Sequence, residues 1–189
     1  MGSKRAINLL RKLKGDFDME NAKLTANARN RYKYITAAGN YDYSELPVGD
    51  HTIMINFALT DGQYVRLPEA TTDNAGMKIT VIVGIAPADN AHVGFVTSKI
   101  VGGVLGVSDA DQGLSTGNAA SQVSAVGDAN LRIDLDADGA AGDGSGFPGS
   151  VMEFWYTGAA NVVLYRGTMI GDRDSTTLAN HFSTTAVNA

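Results

Sequence analysis

Short segments in which hydrophobic and polar residues alternate run from position 51 to position 171. In "HTIMINFAL", Ile53, Ile55, Phe57 and Leu59 face one side and the intervening residues face the other. A period of two is the pattern of a β-strand with one buried face. The same alternation recurs in "QYVRLP", "MKITVIVG", "HVGFVTSKIVGG", "NLRIDLD", "SVMEFWYTG" and "NVVLYRGTMIG". These segments predict a β-protein with seven or eight short strands.

Turn signals separate the strands, and no helical period lies between them. The turns are "TDG", "TTDNAG", "APADNA" and "TGAAN", and the last of these predicts a hairpin between the two final strands. Residues 106–128 are small, polar and weakly patterned, which predicts a long surface loop. Short strands with turns every ~8–12 residues are typical of an all-β fold, either an antiparallel β-sandwich or a jelly-roll-like barrel.

The N-terminal part of the chain has a different pattern. The stretch "SKRAINLLRKLKGDF" predicts a short amphipathic helix, with Ser3 as a candidate N-cap and Gly15 as its end. A helix this short is marginal in water, so we expect it to pack on its own domain or on a partner. Residues 18–47 are polar and contain several tyrosines, which predicts an extended connector with one strand at Arg31–Thr36. The predicted organisation is a basic arm and connector at 1–47, a β-sandwich at 48–171 and a tail at 172–189.

Charge divides the chain in the same way. Residues 1–33 carry nine Lys and Arg against three acids, a net charge of +6, and the remaining residues carry six against seventeen, a net charge of −11. An acidic body repels nucleic acid, whereas a basic arm suits an acidic protein surface, a nucleic acid or an anionic membrane. We expect a protein partner. The predicted contact residues are Ile7, Leu9, Leu10, Arg11, Lys12, Leu13, Lys14, Tyr32 and Tyr34.

Composition excludes two further classes of structure. The chain contains no Cys, so it has neither disulfides nor thiolate metal sites. No segment approaches the ~18 consecutive apolar residues that a membrane-spanning helix requires. We therefore expect no membrane partner.

An aspartate-rich stretch, "RIDLDADGAAGDGSGFPGS", is the best candidate for a metal site. Asp134, Asp136 and Asp138 match the opening of an EF-hand loop, but Ser145 stands where that loop needs a bidentate acid. Asp-Gly at 138–139 is also a turn signal, so a hairpin end explains the stretch without an ion. Clustered carboxylates suit calcium, and a site built from Asp134, Asp136, Asp138 and Asp143 is the alternative.

No set of cooperating catalytic groups can be assembled from the sequence. His51, His92 and His181 lack partners at metal-ligand spacing, and no G-x-S-x-G or phosphate-binding loop is present. Glu153 shares a strand face with Trp155, which would favour a raised pKa, although a charge that protects an edge strand is the commoner interpretation. We therefore expect no enzymatic activity, no cofactor and no small-molecule substrate, with a hydrolase or lyase as the least favoured class.

Two segments together resemble a layout found in virion proteins of tailed bacteriophages. "DGQYVRLPEATTDNAGMKITVIVG" has a strand ending in a Leu-Pro step, a turn ending in Gly and a "KITVIV" strand. "GSVMEFWYTGAANVVLYRG" adds a late strand joined by a hairpin to an aromatic strand, with Leu164 and Tyr165 where such proteins commonly carry Trp. Domains of this kind occur in capsid decoration (cement) proteins and in fibres, usually as trimers.

The resemblance implies a protein on the outer capsid surface of a virion that stabilises the shell by binding the major capsid protein, as a homotrimer. The alternative is a recognition module, either a fibre domain or a carbohydrate-binding β-sandwich. That module would present Trp155, Tyr156 and the 106–128 loop to its ligand.

Overall fold

The computed structural model describes residues 31–87, 90–108, 121–124, 129–135, 146–171 and 182–187. Every regular element among them is a strand, and none of them is helical. The strands are β1 (Tyr32–Ile35), β2 (Tyr41–Asp42), β3 (Asp50–Ile55), β4 (Tyr64–Arg66), β5 (Lys78–Val83), β6 (Ala91–Gly94), β7 (Lys99–Ser108), β8 (Ser121–Ser124), β9 (Arg132–Leu135), β10 (Val151–Tyr156), β11 (Val162–Gly171) and β12 (Phe182–Ser183).

The strands form two sheets. One has seven strands in the order β1-β3-β5-β10-β11-β7-β8, and the other has five in the order β12-β9-β6-β4-β2. This arrangement is consistent with a β-sandwich and confirms the all-β prediction. The predicted N-terminal helical arm lies outside the described residues. The chain divides into two units, Met1–Lys33 and Tyr34–Ala189.

Strand direction differs from the antiparallel arrangement that the sequence predicted. The β10–β11 hairpin is antiparallel as expected, and β5 pairs with β10 in the same way. However, β3 runs parallel to β5, β11 to β7, β2 to β4 and β4 to β6. Antiparallel pairing throughout was therefore wrong. Parallel neighbours require a crossover connection rather than a tight turn. The connection from β3 to its parallel neighbour β5, for example, includes β4, which belongs to the other sheet.

The core lies between the inward faces of the strands. In β5 and β10 the burial alternates at every residue, so that Ile79, Val81, Met152 and Phe154 are fully buried. An aromatic cluster continues this core: the ring of Phe154 lies 5.8 Å from Phe95 and 5.2 Å from Tyr165. Burying each such side chain contributes about 1.5–3 kcal/mol. The predicted period of two therefore identifies the core-facing residues.

The parallel pairing of β7 and β11 depends on a glycine. Gly102 lies opposite Tyr165 with φ at +151°, and a Cβ at this position would lie 1.9 Å from the Tyr165 carbonyl oxygen. No other residue can adopt this conformation and spacing without strain. Gly102 therefore allows the two backbones to approach.

Strands also occur where the sequence predicted none. The segment 106–128 was predicted to be a loop, but β7 continues to Ser108 and β8 pairs with β7 in antiparallel orientation. The predicted tail contributes β12, whose Phe182 is buried, and the Val187 amide donates to the carbonyl of Phe95 at 2.9 Å. The connector contributes β1, where one strand was predicted at Arg31–Thr36, and also β2, which was not predicted. The sheets thus extend beyond 48–171 in both directions.

A single carboxylate joins the loop after β4 to the loop after β6. Glu69 accepts hydrogen bonds from the amides of Val96 at 2.8 Å, Thr97 at 3.2 Å and Ser98 at 2.7 Å, and from the hydroxyls of Thr97 and Ser98. Ser98 is fully buried, and its hydroxyl also accepts from the Ala70 amide at 2.7 Å. This set of contacts fixes the two loops against each other.

Candidate functional site

The outward-facing residues of the seven-stranded sheet form a broad surface in three rows across β3, β5, β10, β11 and β7. The rows are Asp50–Lys78–Trp155–Leu164–Val101, Thr52–Thr80–Glu153–Arg166–Gly103 and Met54–Ile82–Val151–Thr168–Leu105. We call this surface the outer face. None of these residues is buried. The outer face is therefore at least partly accessible to solvent in all three rows.

Trp155 lies on β10, the middle strand of the outer face, in contact with two cations. The ammonium of Lys78 lies over its ring at 5.6 Å from the centroid, and the guanidinium of Arg166 at 4.8 Å. Both cations also bind Glu153: the Lys78 Nζ lies 2.5 Å from Oε1, and Arg166 donates to Oε2 from Nε at 2.9 Å and from Nη2 at 2.6 Å. Cation–π contact and charge-assisted hydrogen bonds thus hold these four side chains in one arrangement.

The environment of Glu153 contradicts both interpretations offered by the sequence. Hydrogen bonding from Lys78, and then from Arg166, holds the pKa of Glu153 below its ordinary value. A raised pKa was therefore wrong, because hydrogen bonds from the two cations outweigh the desolvation of the carboxylate by burial. Protection of an edge strand was also wrong, since β10 lies between β5 and β11 in the sheet. Glu153 instead orients the two cations.

A shallow depression of about 260 Å³ adjoins this cluster. Its lining residues are Val151, Glu153, Arg166, Gly167 and Thr168. Arg166 projects beside it with 69% of its side chain exposed, and Leu164 nearby is 43% exposed. The outer face therefore combines apolar contact area, a preoriented guanidinium and a place for a small side chain to enter. Trp and Arg are the residue types that most often dominate binding at protein interfaces.

The five-stranded sheet carries a second polar cluster. Asp134 Oδ1 lies 2.9 Å from His92 Nδ1 and 2.7 Å from Arg132 Nε. His92 and Asp134 are register partners on β6 and β9, so the pairing of these strands brings them together. Sequence spacing had shown no partner for His92 that would suggest a metal site, and this cross-strand contact does not depend on such spacing. Among the described residues, no group of three or more His, Cys, Asp or Glu side chains is arranged to hold a metal ion.

Few of the contact and metal-site residues predicted from the sequence fall within the described parts of the chain. Tyr32 and Tyr34 lie on β1 and are 57% and 59% exposed. Asp134 lies on β9 beside His92 and Arg132, as just described. The other predicted positions lie outside the described residues: Ile7, Leu9, Leu10, Arg11, Lys12, Leu13 and Lys14 for the partner, and Asp136, Asp138 and Asp143 for the metal.

The ligand surface predicted for a recognition module is not assembled as expected. Tyr156 is buried, and its hydroxyl donates to the carbonyl of Pro68 at 2.9 Å, so Tyr156 cannot present its ring to a ligand. Trp155 is on the opposite face of the same strand. Of the 106–128 loop, the structure describes only the end of β7 and β8.

Of the four side chains that meet around Trp155, Lys78 and Arg166 were missed by sequence reasoning, whereas Glu153 and Trp155 had been singled out. Alternation along "KITVIV" and "VVLYRGTMI" places Lys78 and Arg166 on outward faces of their strands, which is the signal the sequence contains. It does not reveal that β10 lies between those strands, with Glu153 in register with Arg166. Register between distant strands was the missing information.

Comparison with known proteins adds no assignment. The chain matches no protein-family model, no curated protein and no solved structure. In the part of the chain that the structure describes, no helix has the length and apolarity needed to cross a bilayer.

Proposed function

We propose that this protein is a structural component of a bacteriophage virion that decorates the outer surface of the capsid. It binds the major capsid protein, assembles as a homotrimer and stabilises the shell. The observation that carries the proposal is the outer face, a wide sheet surface on which Lys78, Glu153 and Arg166 surround Trp155. A flat surface of this kind is suited to binding a protein rather than to enclosing a small substrate.

The charge distribution of the chain supports attachment to an assembly. A basic segment with apolar anchors at Ile7, Leu10 and Leu13 precedes a body with a net charge of −11. An arm that orders on docking gains contacts with the shell, while the acidic body keeps densely arrayed copies soluble. The proposal therefore assigns attachment to two regions, the arm and the outer face.

Co-sedimentation tests the proposal. Expanded phage heads are mixed with the full-length protein and pelleted. We expect saturable binding by the wild type, a trimer by analytical ultracentrifugation, and loss of binding when residues 1–15 are deleted. If the full-length protein stays in the supernatant, the proposed function is wrong. If the truncated protein binds as well as the wild type, the role of the arm is wrong.

A carbohydrate-binding module is the weaker candidate on the described geometry. Sugar rings stack on exposed aromatic faces, but Arg166 already lies over the ring of Trp155 and Tyr156 is buried. A glycan array distinguishes the two candidates, since specific glycan binding that Trp155→Ala abolishes would favour the recognition module.

A further inference from the structure

The cations of the acidic body are concentrated on one surface. Residues 34–189 contain six Lys and Arg against seventeen acids. Three of those cations, Lys78, Lys99 and Arg166, project from the same side of the seven-stranded sheet; Lys99 is exposed and lies two residues before Val101 on β7. The strands contribute two acids to this side, Asp50 and Glu153, so its net charge is +1. With Lys99 counted as part of it, the outer face is therefore a surface on which cations outnumber acids, within a body of −11.

From this uneven distribution of charge we infer that the outer face binds a protein surface on which carboxylates are flanked by apolar side chains. Arg166, beside the depression, binds one of these carboxylates. The inference deepens the proposed function by naming the chemistry of the partner surface, and it rests on that function for the identity of the partner. Charge complementarity is the observation that selects the occupant. The other described cations of the acidic body, Arg66 and Arg132, each contact an acid of their own, whereas this side of the sheet carries three cations against two acids.

The geometry of Arg166 supports the assignment. Two of its five N–H groups are anchored on Glu153 at 2.9 and 2.6 Å, and 69% of its side chain is nevertheless exposed. The anchoring reduces the side-chain entropy that is lost on binding, since the guanidinium is already oriented. Leu164 and Leu105, 43% and 48% exposed, lie on the outer face near it and provide apolar contact area.

The same features disfavour nucleic acid as the occupant. A duplex needs a track of many unpaired cations, whereas the outer face has three cations with Glu153 and Asp50 among them. The acidic remainder of the body would also repel a long polyanion. A short carboxylate-bearing segment avoids most of this repulsion because it contacts only the cationic surface.

The test uses the full-length protein and a defined probe, the acetylated and amidated peptide Glu-Leu-Glu-Leu-Glu. The chain has one Trp, so the indole N–H resonance of Trp155 in ¹⁵N-labelled protein reports on this site. We expect a saturable shift on titration with the peptide. Arg166→Gln should weaken binding by about tenfold, since a charge-assisted hydrogen bond is lost. The same peptide with Lys in place of Glu should produce no shift.

Thr60→Glu is the matched control because it changes the net charge by the same amount at an exposed position in the loop between β3 and β4. It should bind the acidic peptide as the wild type does. Near-ultraviolet circular dichroism checks the fold of each variant, and Lys99→Gln replaces Arg166→Gln if the latter does not fold. The inference is overturned if the acidic peptide causes no shift, if the folded outer-face variant binds it undiminished, or if duplex DNA saturates the site instead.

Shell binding separates this inference from the proposed function. If wild type and Arg166→Gln co-sediment equally with shells, the outer face is not the docking surface, although decoration still holds. If the wild type does not bind shells but binds the acidic peptide through Arg166, the capsid is the wrong partner and the carboxylate-binding surface stands.

Discussion

Replacing Glu69 by Gln tests whether one carboxylate holds two loops of the fold together. The amides of Val96 and Ser98 donate to different oxygens of Glu69, Oε1 and Oε2. Gln has the same shape, but in either orientation its NH₂ group faces one of these two N–H groups. Two donors cannot form a hydrogen bond with each other, so one backbone amide loses its acceptor. We therefore expect Gln to be strongly destabilising here despite its similarity in size.

The expected magnitude follows from the hydrogen bonds that Glu69 accepts. A hydrogen bond to a charged group contributes about 1.5–3 kcal/mol, and these bonds share one acceptor group, so their contributions do not add. Glu69 is half-buried, and water can satisfy part of what is lost. We expect Glu69→Gln to lower the free energy of unfolding by about 2–3 kcal/mol.

The pH dependence provides a second, independent signature. Burial of Glu69 acts to raise its pKa, but hydrogen bonds from Ser98, Val96 and Thr97 outweigh burial and hold the pKa below the ordinary value of 4.5. A depressed carboxyl pKa contributes stability above the unfolded pKa, and that stability is lost as the pH falls through the folded pKa. The wild type should therefore lose more stability than Glu69→Gln between about pH 5 and pH 3.

Urea denaturation followed by circular dichroism measures both effects. Glu45→Gln is the matched control, since Glu45 is exposed and undergoes the same chemical change. That variant should unfold at the wild-type urea concentration. If Glu69→Gln changes the free energy of unfolding by less than about 0.5 kcal/mol, as ordinary surface substitutions do, the loops are held by other contacts and the reasoning fails.

Two buried tyrosines should respond oppositely to loss of the hydroxyl. Tyr165→Phe should leave stability unchanged or raise it by up to about 1 kcal/mol, because its buried hydroxyl has no hydrogen-bond partner among the described residues. Tyr156→Phe should lower the free energy of unfolding by about 1–1.5 kcal/mol, because it leaves the Pro68 carbonyl unpaired. Thermal denaturation measures both variants, and equal shifts in their melting temperatures would refute this expectation. For the aspartate-rich stretch, excess EDTA should leave the melting temperature of the protein unchanged, because the Asp134 carboxylate already contacts Arg132 at 2.7 Å. A melting temperature that EDTA lowers and calcium restores would instead establish an ion site.

The local sequence pattern was sufficient to predict the strands in which polar and apolar residues alternate. The alternation in "KITVIV" and "VMEFWY" gave the positions of β5 and β10 and the residues they bury, because a sheet with one core-facing side imposes a period of two. The turn "TGAAN" likewise gave the β10–β11 hairpin, whose ends are close along the chain.

Elements that depend on distant partners were not predictable in this way. β8 and β12 are short and have no clear alternation; each is a strand because β7 or β9 offers it a hydrogen-bonding edge. Parallel pairs such as β3 with β5 leave no turn signal either, since their strands are joined through the other sheet. The carboxylate of Glu69 is a similar case, because its donors lie 27 to 29 residues further along the chain.

The sequence by itself determined that the chain forms β-strands and which side of the alternating strands is buried. It also determined that a basic arm precedes an acidic body. These properties are local or additive: a strand's alternation and a segment's net charge can be read without knowing its neighbours. Only the tertiary structure decided that Lys78, Glu153, Trp155 and Arg166 meet on one surface. Their meeting depends on strand order and register, which are set by the packing of the whole core.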